Sequence, residues 1–276
     1  MKGHAVWKND QQREFVKTFK SISSSHIAWT VWRDFVLLLA TALSTTAELN
    51  KDILGDRTAR CMEITQSYSQ DDLERFVRLG AITTEALNSN PEQDFLGELY
   101  MGLDFGSSWH GQYFTPWHVA HMMAEMTLAG CEETVKANGY TSVLDPTCGS
   151  GCMLIAAASA YQRDAEEREY QSDILFVGQD LDPTVALMCY IQLSILGCAG
   201  YVVIGNSLTN PVHGYNLAPQ IDDGGEIWYT PMFNSPLWMF RRLLTFCAHE
   251  DQIILPDETD AEAEKATVHG SAELQE

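Results

Sequence analysis

From residue 141 to residue 208, short apolar runs alternate with helix-like segments, and each run ends on a polar side chain. "SVLD" closes on Asp145, "DILFVGQD" on Asp180, and "GYVVIGNSL" leads to Asn206 and Ser207. Between them, "CMLIAAASAYQRDAEERE" and "PTVALMCYIQLSILG" read as helices. Strands alternating with helices predict an α/β fold with a parallel, doubly wound sheet and a ligand site at the C-terminal ends of its strands.

The turn after the first run is a bare stretch of backbone. In "DPTCGSG", Gly149 and Gly151 remove Cβ atoms where a strand turns into a helix, so a ligand can lie against the main chain. A merely tight strand–helix turn is the competing explanation. The spacing is neither G-x-G-x-x-G nor a P-loop with its lysine, which favours a nucleoside-bearing ligand other than a dinucleotide or a triphosphate. Asp180 can accept ribose hydroxyls, while Asp182, before Pro183, can cap the next helix. Asn206 and Ser207 are either ligand contacts or turn residues. Polar tips on three successive strands favour the ligand reading for the set.

The rest of the chain frames this unit. Residues 11–90 read as helices, with a serine cap signal in "SSSHIAWTVW" and a cap at Ser69. "PEQDFLGELYMGL" is a short amphipathic helix. "GQYFTPWHVAHMMAEMTLAG" is a loop feeding a helix, with Thr115 as its cap, Pro116 at its first position and Gly130 as its stop. After residue 209, "GEIWYTPMF" suggests a fourth strand, "SPLWMFRRLLTFCAH" a helix and "DQIILP" a remnant strand. The expected division is a helical region (1–90), an α/β domain (91–249) and an acidic, disordered tail (250–276).

Composition narrows the class. The apolar run at 31–43 is too short to span a bilayer and carries Arg33 and Asp34, so no membrane role is expected. The N-terminus lacks a signal-peptide core, and seven cysteines without a C-x-x-C pair suggest reduced thiols in the cytoplasm. The net charge of −21 argues against strong unaided binding to DNA, whose affinity comes largely from phosphate neutralisation. Residues 1–80 are close to neutral, which points to Arg57, Arg60, Arg75 and Arg78 as a nucleic-acid or partner face. His110, His118 and His121 cluster without an obvious third ligand, so no metal site is expected. Trp109, Trp117, Trp228 and Trp238 are divided between core and base-stacking roles, and Trp29 and Trp32 read as core.

In order and spacing, "DFLGELYM", "GQYFTP", "VLDPTCGSG", "GQDLDP" and "GNSL" resemble the modification subunits of type I restriction systems and their N6-adenine DNA methyltransferase relatives, over about residues 92–208. The resemblance implies a Rossmann-like class I methyltransferase sheet behind an N-terminal helical region, with S-adenosyl-L-methionine as cofactor. It implies that Asp145, Thr147, Gly149, Ser150 and Gly151 hold the methionine part and that Gln112, Tyr113, Phe114 and Thr115 close over it. Asp180 would bind the ribose, with Leu181 beside it, and Asn206 and Ser207 would face the adenine ring. DNA and a specificity subunit, or another restriction-modification subunit, are the implied partners.

Such enzymes carry Asn/Asp-Pro-Pro-Phe/Tyr at the tip of the fourth strand, where it orients the adenine amine and stacks on the flipped base. The tetrapeptide is missing here. "NPVH" at 210–213 lacks the second proline and the aromatic, "FNSPLW" interrupts Asn-Pro with Ser235, and "YTPMF" lacks the asparagine. Asn210, Tyr229, Phe233 and Asn234 are the remaining candidates for catalysis. The alternative is a catalytically silent relative that binds the cofactor and acts as a regulatory or assembly subunit.

Overall fold

The computed structural model describes residues 7–106, 115–163, 168–222 and 224–250. Helices α1 (Asp10–Ser23), α2 (Ala28–Ser44), α3 (Lys51–Thr65) and α4 (Gln70–Ser89) form the N-terminal region, followed by α5 (Phe95–Gly102), α6 (Trp117–Leu128) and α7 (Cys131–Asn138). Then come β1 (Thr141–Asp145), α8 (Cys152–Arg163), α9 (Tyr170–Asp173), β2 (Ile174–Asp180), α10 (Pro183–Ile195) and β3 (Ala199–Ile204). A hairpin of β4 (His213–Tyr215) and β5 (Ala218–Gln220), strand β6 (Glu226–Tyr229), a short 3-10 turn (Pro231–Asn234) and α11 (Pro236–Glu250) follow.

The expected alternation of strand and helix is present. The main sheet has the order β1-β2-β3-β6, with β1, β2 and β3 parallel. The expected fourth strand forms, but it runs antiparallel to β3, pairing Ile204 with Glu226 and Tyr201 with Tyr229. Among the described residues β1 pairs only with β2, and Leu144 on it is exposed. The β4–β5 hairpin had no clear signal in the sequence.

The period of two in the strands sorts their side chains onto two faces. Ile174, Phe176 and Val202 face α8 and α10, and the same buried cluster continues through Phe15, Phe19, Trp32, Phe35 and Leu79 of the N-terminal helices. Residues 7–90 therefore share a core with the sheet rather than enclosing one of their own. Leu175, Val177, Tyr201 and Val203 face the other way, against Leu217, Phe233 and Trp238. The outer side of α11 exposes Leu237, Met239, Phe240, Leu243, Leu244 and Phe246.

Two capping expectations hold: Ser69 accepts from the Asp72 N–H, and Asp182 from the Thr184 N–H. Two do not. Helix α2 starts after Ile27 with no side-chain cap, and α6 starts at Trp117, with Pro116 rather than Thr115 in the cap position. Pro116 has an extended ψ of 138°, so the helix begins one residue later than its φ alone would allow.

Trp228 and Trp238 are fully buried core residues, as is Trp32, whereas Trp29 is only partly covered. The four arginines proposed as a binding face are all engaged. Arg57 is buried over the Trp228 ring, 3.5 Å from its centroid, and donates to Glu48 and the Ile227 carbonyl. Arg60 pairs with Glu226, Arg75 with Asp72 and Arg78 with Glu14. Arg57 is thus a core cation, whereas Arg60, Arg75 and Arg78 stay partly exposed, each with its charge offset by a neighbouring carboxylate.

Candidate functional site at the strand tips

The parallel strands bring their three polar ends to one edge, as the alternating pattern requires. Asp145 ends β1 and its Oδ1 accepts the Thr147 N–H at 3.0 Å, turning the chain sharply. The loop continues through Gly149 and Gly151, both at positive φ (53° and 95°). A Cβ on Gly151 would lie 2.8 Å from Cys189 Sγ, so only glycine lets α8 start this close to α10. The loop is tied across strands: Cys148 N–H donates to the Gln179 carbonyl at 2.9 Å. Asp180 Oδ2 accepts the Gly149 N–H at 2.9 Å, and Asp180 Oδ1 accepts the Asp182 N–H at 3.0 Å.

Asp145 and Asp180 are half-buried, and burial pushes both carboxyls above the usual carboxylate range. For Asp145 the charge of Asp180 adds to the rise. Each carboxylate oxygen can accept more than one donor, so capacity for ligand hydroxyls remains beyond the loop bonds. Asn206 is committed differently: its Oδ1 accepts the Leu208 and Thr209 N–H groups at 2.9 and 3.2 Å. Its amide nitrogen, rather than its oxygen, is the group it can offer a ligand.

The remaining cofactor candidates divide by position. Thr147 and Leu181 are exposed at the tips, and Ser207 is half-buried beside Asn206. Thr115 reaches the loop, its carbonyl 3.3 Å from Cys152 Sγ. Gln112, Tyr113 and Phe114 lie outside the described residues. Ser150 is buried, and its hydroxyl turns away from the tips to Asp94 Oδ2 at 2.5 Å. Sequence reasoning missed Asp94 and Gln192, which meet there behind the loop. The only signal for Asp94 was its position just before the short helix in "DFLGELYM".

The catalytic candidates separate. Asn210 stays near the tips: its N–H donates to the Asn206 carbonyl at 2.7 Å, and its carbonyl accepts from Gln179 Nε2 at 2.8 Å. Its side chain bridges the backbone of Asp222. Tyr229, Phe233 and Asn234 are not brought there. Because β6 is antiparallel, Tyr229 lies beside Tyr201, three residues back from the end of β3, or roughly 10 Å along the strand. The chain then continues away from the tips. Tyr229 stacks on Phe233 with centroids 5.5 Å apart, and Arg242 sits 4.5 Å over the Phe233 ring. Asn234 donates to the Ala47 carbonyl and accepts from Arg242.

A family model and a curated relative point the same way as the motifs. The family model described as N-6 DNA methylase matches residues 92–258. The methylase subunit of the type I restriction enzyme MjaVII from Methanocaldococcus jannaschii is 26% identical over 187 residues, which cover 65% of this chain and 30% of that subunit. The chain thus spans less than a third of the length of this curated relative. Among solved structures, a putative class I S-adenosylmethionine-dependent methyltransferase from Listeria monocytogenes aligns with a TM-score of 0.44 at 14% identity, over 78% of this chain and 67% of that one. A methyltransferase subunit of a type I restriction-modification system from Streptococcus thermophilus aligns with a TM-score of 0.36 at 14% identity, over 72% of this chain and 58% of that one.

Proposed function

Because the chain belongs to the N-6 DNA methylase family, we propose that it binds S-adenosyl-L-methionine at the tips of β1, β2 and β3 and serves methyl transfer to the N6 amine of adenine in DNA. The observation that supports this most is the convergence of Asp145 and Asp180 on the Thr147–Gly151 turn, Asp145 accepting the Thr147 N–H and Asp180 the Gly149 N–H. A bare loop with carboxylate acceptors around it suits a ligand that presents ribose hydroxyls and two cationic groups, a sulfonium and an ammonium. When bound, the cofactor supplies an electrophilic methyl group.

In this reading Asp180 accepts the ribose hydroxyls, and Asp145 with the Thr147–Gly151 backbone holds the methionine part. Thr115 leads in the segment with Gln112, Tyr113 and Phe114 that covers it. Leu181 gives the adenine an apolar neighbour, and Asn206 with Ser207 reaches its ring from β3. The target amine needs an oriented acceptor and a surface for the flipped base. Asn210 is the one catalytic candidate that remains at the tips. DNA and a specificity or other restriction-modification subunit are the proposed partners, with unaided DNA binding weak for a chain of charge −21. The cytoplasm is the proposed compartment.

The position of Tyr229, Phe233 and Asn234 away from the tips favours a second reading, a cofactor-binding regulatory or assembly subunit without methyl transfer of its own. Titration calorimetry with S-adenosyl-L-methionine, followed by radiolabelled methyl transfer to mixed-sequence DNA, separates the two. Transfer supports the first reading, and binding without transfer supports the second. No binding at millimolar cofactor removes both.

A further inference from the structure

Behind the glycine loop lies a closed set of buried polar groups that none of the roles above requires. Asp94, Ser150 and Gln192 are 5%, 1% and 0% exposed. Asp94 Oδ1 accepts the Gly97 N–H at 2.9 Å and Gln192 Nε2 at 2.8 Å, and its Oδ2 accepts the Ser150 hydroxyl at 2.5 Å. Gln192 Nε2 also donates to the Ser150 carbonyl at 2.8 Å, while its Oε1 accepts the Leu96 N–H at 3.1 Å. Ser150 is therefore gripped at both its side chain and its backbone. A Cβ on Gly97 would lie 2.1 Å from Asp94 Oδ2 and 2.5 Å from Ser150 Oγ, so glycine keeps this contact open.

A carboxylate buried without a cation beside it is a costly way to fill space. Burial raises the Asp94 carboxyl above its usual range, and the donors around it offset only part of that. An apolar side chain of the same size would pack α5 against α10 without the cost. What the carboxylate adds is direction. It caps α5, fixes the Gln192 amide and holds the residue between the two glycines, whose missing side chains would otherwise leave the loop many conformations besides the positive-φ one it adopts.

We infer that Asp94, acting with Gln192, is a positioning residue that holds the Gly149–Gly151 backbone in the conformation that receives the cofactor. This inference rests on the cofactor reading proposed above. The network joins the segment before the first motif, the loop and the helix after β2, so one side chain behind the loop sets the geometry of the face that receives the ligand.

The test compares wild type, Asp94→Asn and Asp94→Ala by calorimetry with S-adenosyl-L-methionine, by thermal melting without ligand, and by amide hydrogen exchange. Asparagine keeps an acceptor for Gly97 and Gln192 and can donate to the Ser150 hydroxyl, so it should bind within about threefold of wild type. Alanine should weaken binding at least tenfold. It should also speed exchange at residues 148–151 while exchange in α1, α2 and α4 stays slow. If Asp94→Ala does not fold, Ser150→Ala replaces it, with binding expected to weaken about fivefold and the same local rise in exchange. Unchanged affinity and unchanged loop exchange in the folded alanine variant overturn the inference, as does an asparagine variant that fails as badly as alanine. Absence of binding in the wild type instead overturns the cofactor reading, while the exchange measurement still judges the positioning role.

Discussion

The two ends of the central sheet are built from different residue types and do different work. At the C-terminal tips, half-buried carboxylates flank a glycine loop, and their hydrogen bonds leave acceptor capacity unspent. Toward the other end, Tyr201, Tyr229, Phe233 and Trp238 pack against one another. Trp238 donates to the Gln171 carbonyl at 2.7 Å, and the guanidinium of Arg241 lies 4.5 Å over its ring. The Trp238 indole, the Arg241 guanidinium and the Asn234 amide are committed to the fold there. An asparagine beside aromatic rings is thus no sign of a base-binding site. What matters is the sheet end on which it falls and whether its hydrogen bonds are already used.

The largest effect that would sharpen this contrast is on stability. Trp238→Ala removes a fully buried ring and should cost about 3–5 kcal/mol in chemical denaturation. The fraction that remains folded should bind cofactor normally. A comparable loss of cofactor affinity in the folded fraction would mean that the two ends are coupled, and the contrast would break.

Asp180→Ala acts at the opposite end. It leaves the Gly149 and Asp182 N–H groups without their acceptor and, in the proposed binding mode, the ribose hydroxyls as well. Affinity for S-adenosyl-L-methionine should fall by about 1–3 kcal/mol, roughly five- to 150-fold in dissociation constant, as calorimetry would read it. Asn234→Ala should cost about 1 kcal/mol of stability through its bonds to Ala47 and Arg242, and leave any methyl transfer unchanged. A rate loss above tenfold at constant cofactor affinity would return Asn234 to the reaction.

The smallest and most diagnostic effect is with pH. Burial raises the carboxyls of Asp94, Asp145 and Asp180, so the folded chain holds these protons more tightly than the unfolded chain does. Their contribution to stability is therefore full below the ordinary carboxylate pKa of about 4, and it is lost as pH rises through the raised values. Cofactor binding should run in the opposite direction. A cationic ligand with hydroxyl donors favours charged acceptors, so affinity should fall as pH falls through the same range. Calorimetry across that range checks the sign, and affinity that rises on acidification would remove Asp145 and Asp180 from the ligand site.

Much of the tip site was legible in the sequence because local chemistry specifies it. Acids at strand ends, a glycine pair before a helix, and Asp182 ahead of Pro183 all act within a few residues of where they stand. Ser150 shows the limit. Its place inside the glycine loop suggested a ligand contact, yet its hydroxyl is used by Asp94, 56 residues earlier in the chain. Arg57 shows it again: an arginine that looked available for phosphate is buried against Trp228, 171 residues later.

The sequence by itself determined the alternation of strand and helix, the polar strand tips and the bare loop, because a periodicity of two or 3.6 and the freedom of glycine are properties of short segments. Only the tertiary structure decided the direction of β6 and, with it, the end of the sheet at which Tyr229, Phe233 and Asn234 lie. A strand has the same alternating pattern whichever way it runs, and the apolar face of "EIWY" is satisfied in either sense. The choice is made by partners distant in sequence: Arg57 bonding the Ile227 carbonyl, Thr230 holding the Gly200 N–H at 3.0 Å, and the aromatic packing around Phe233.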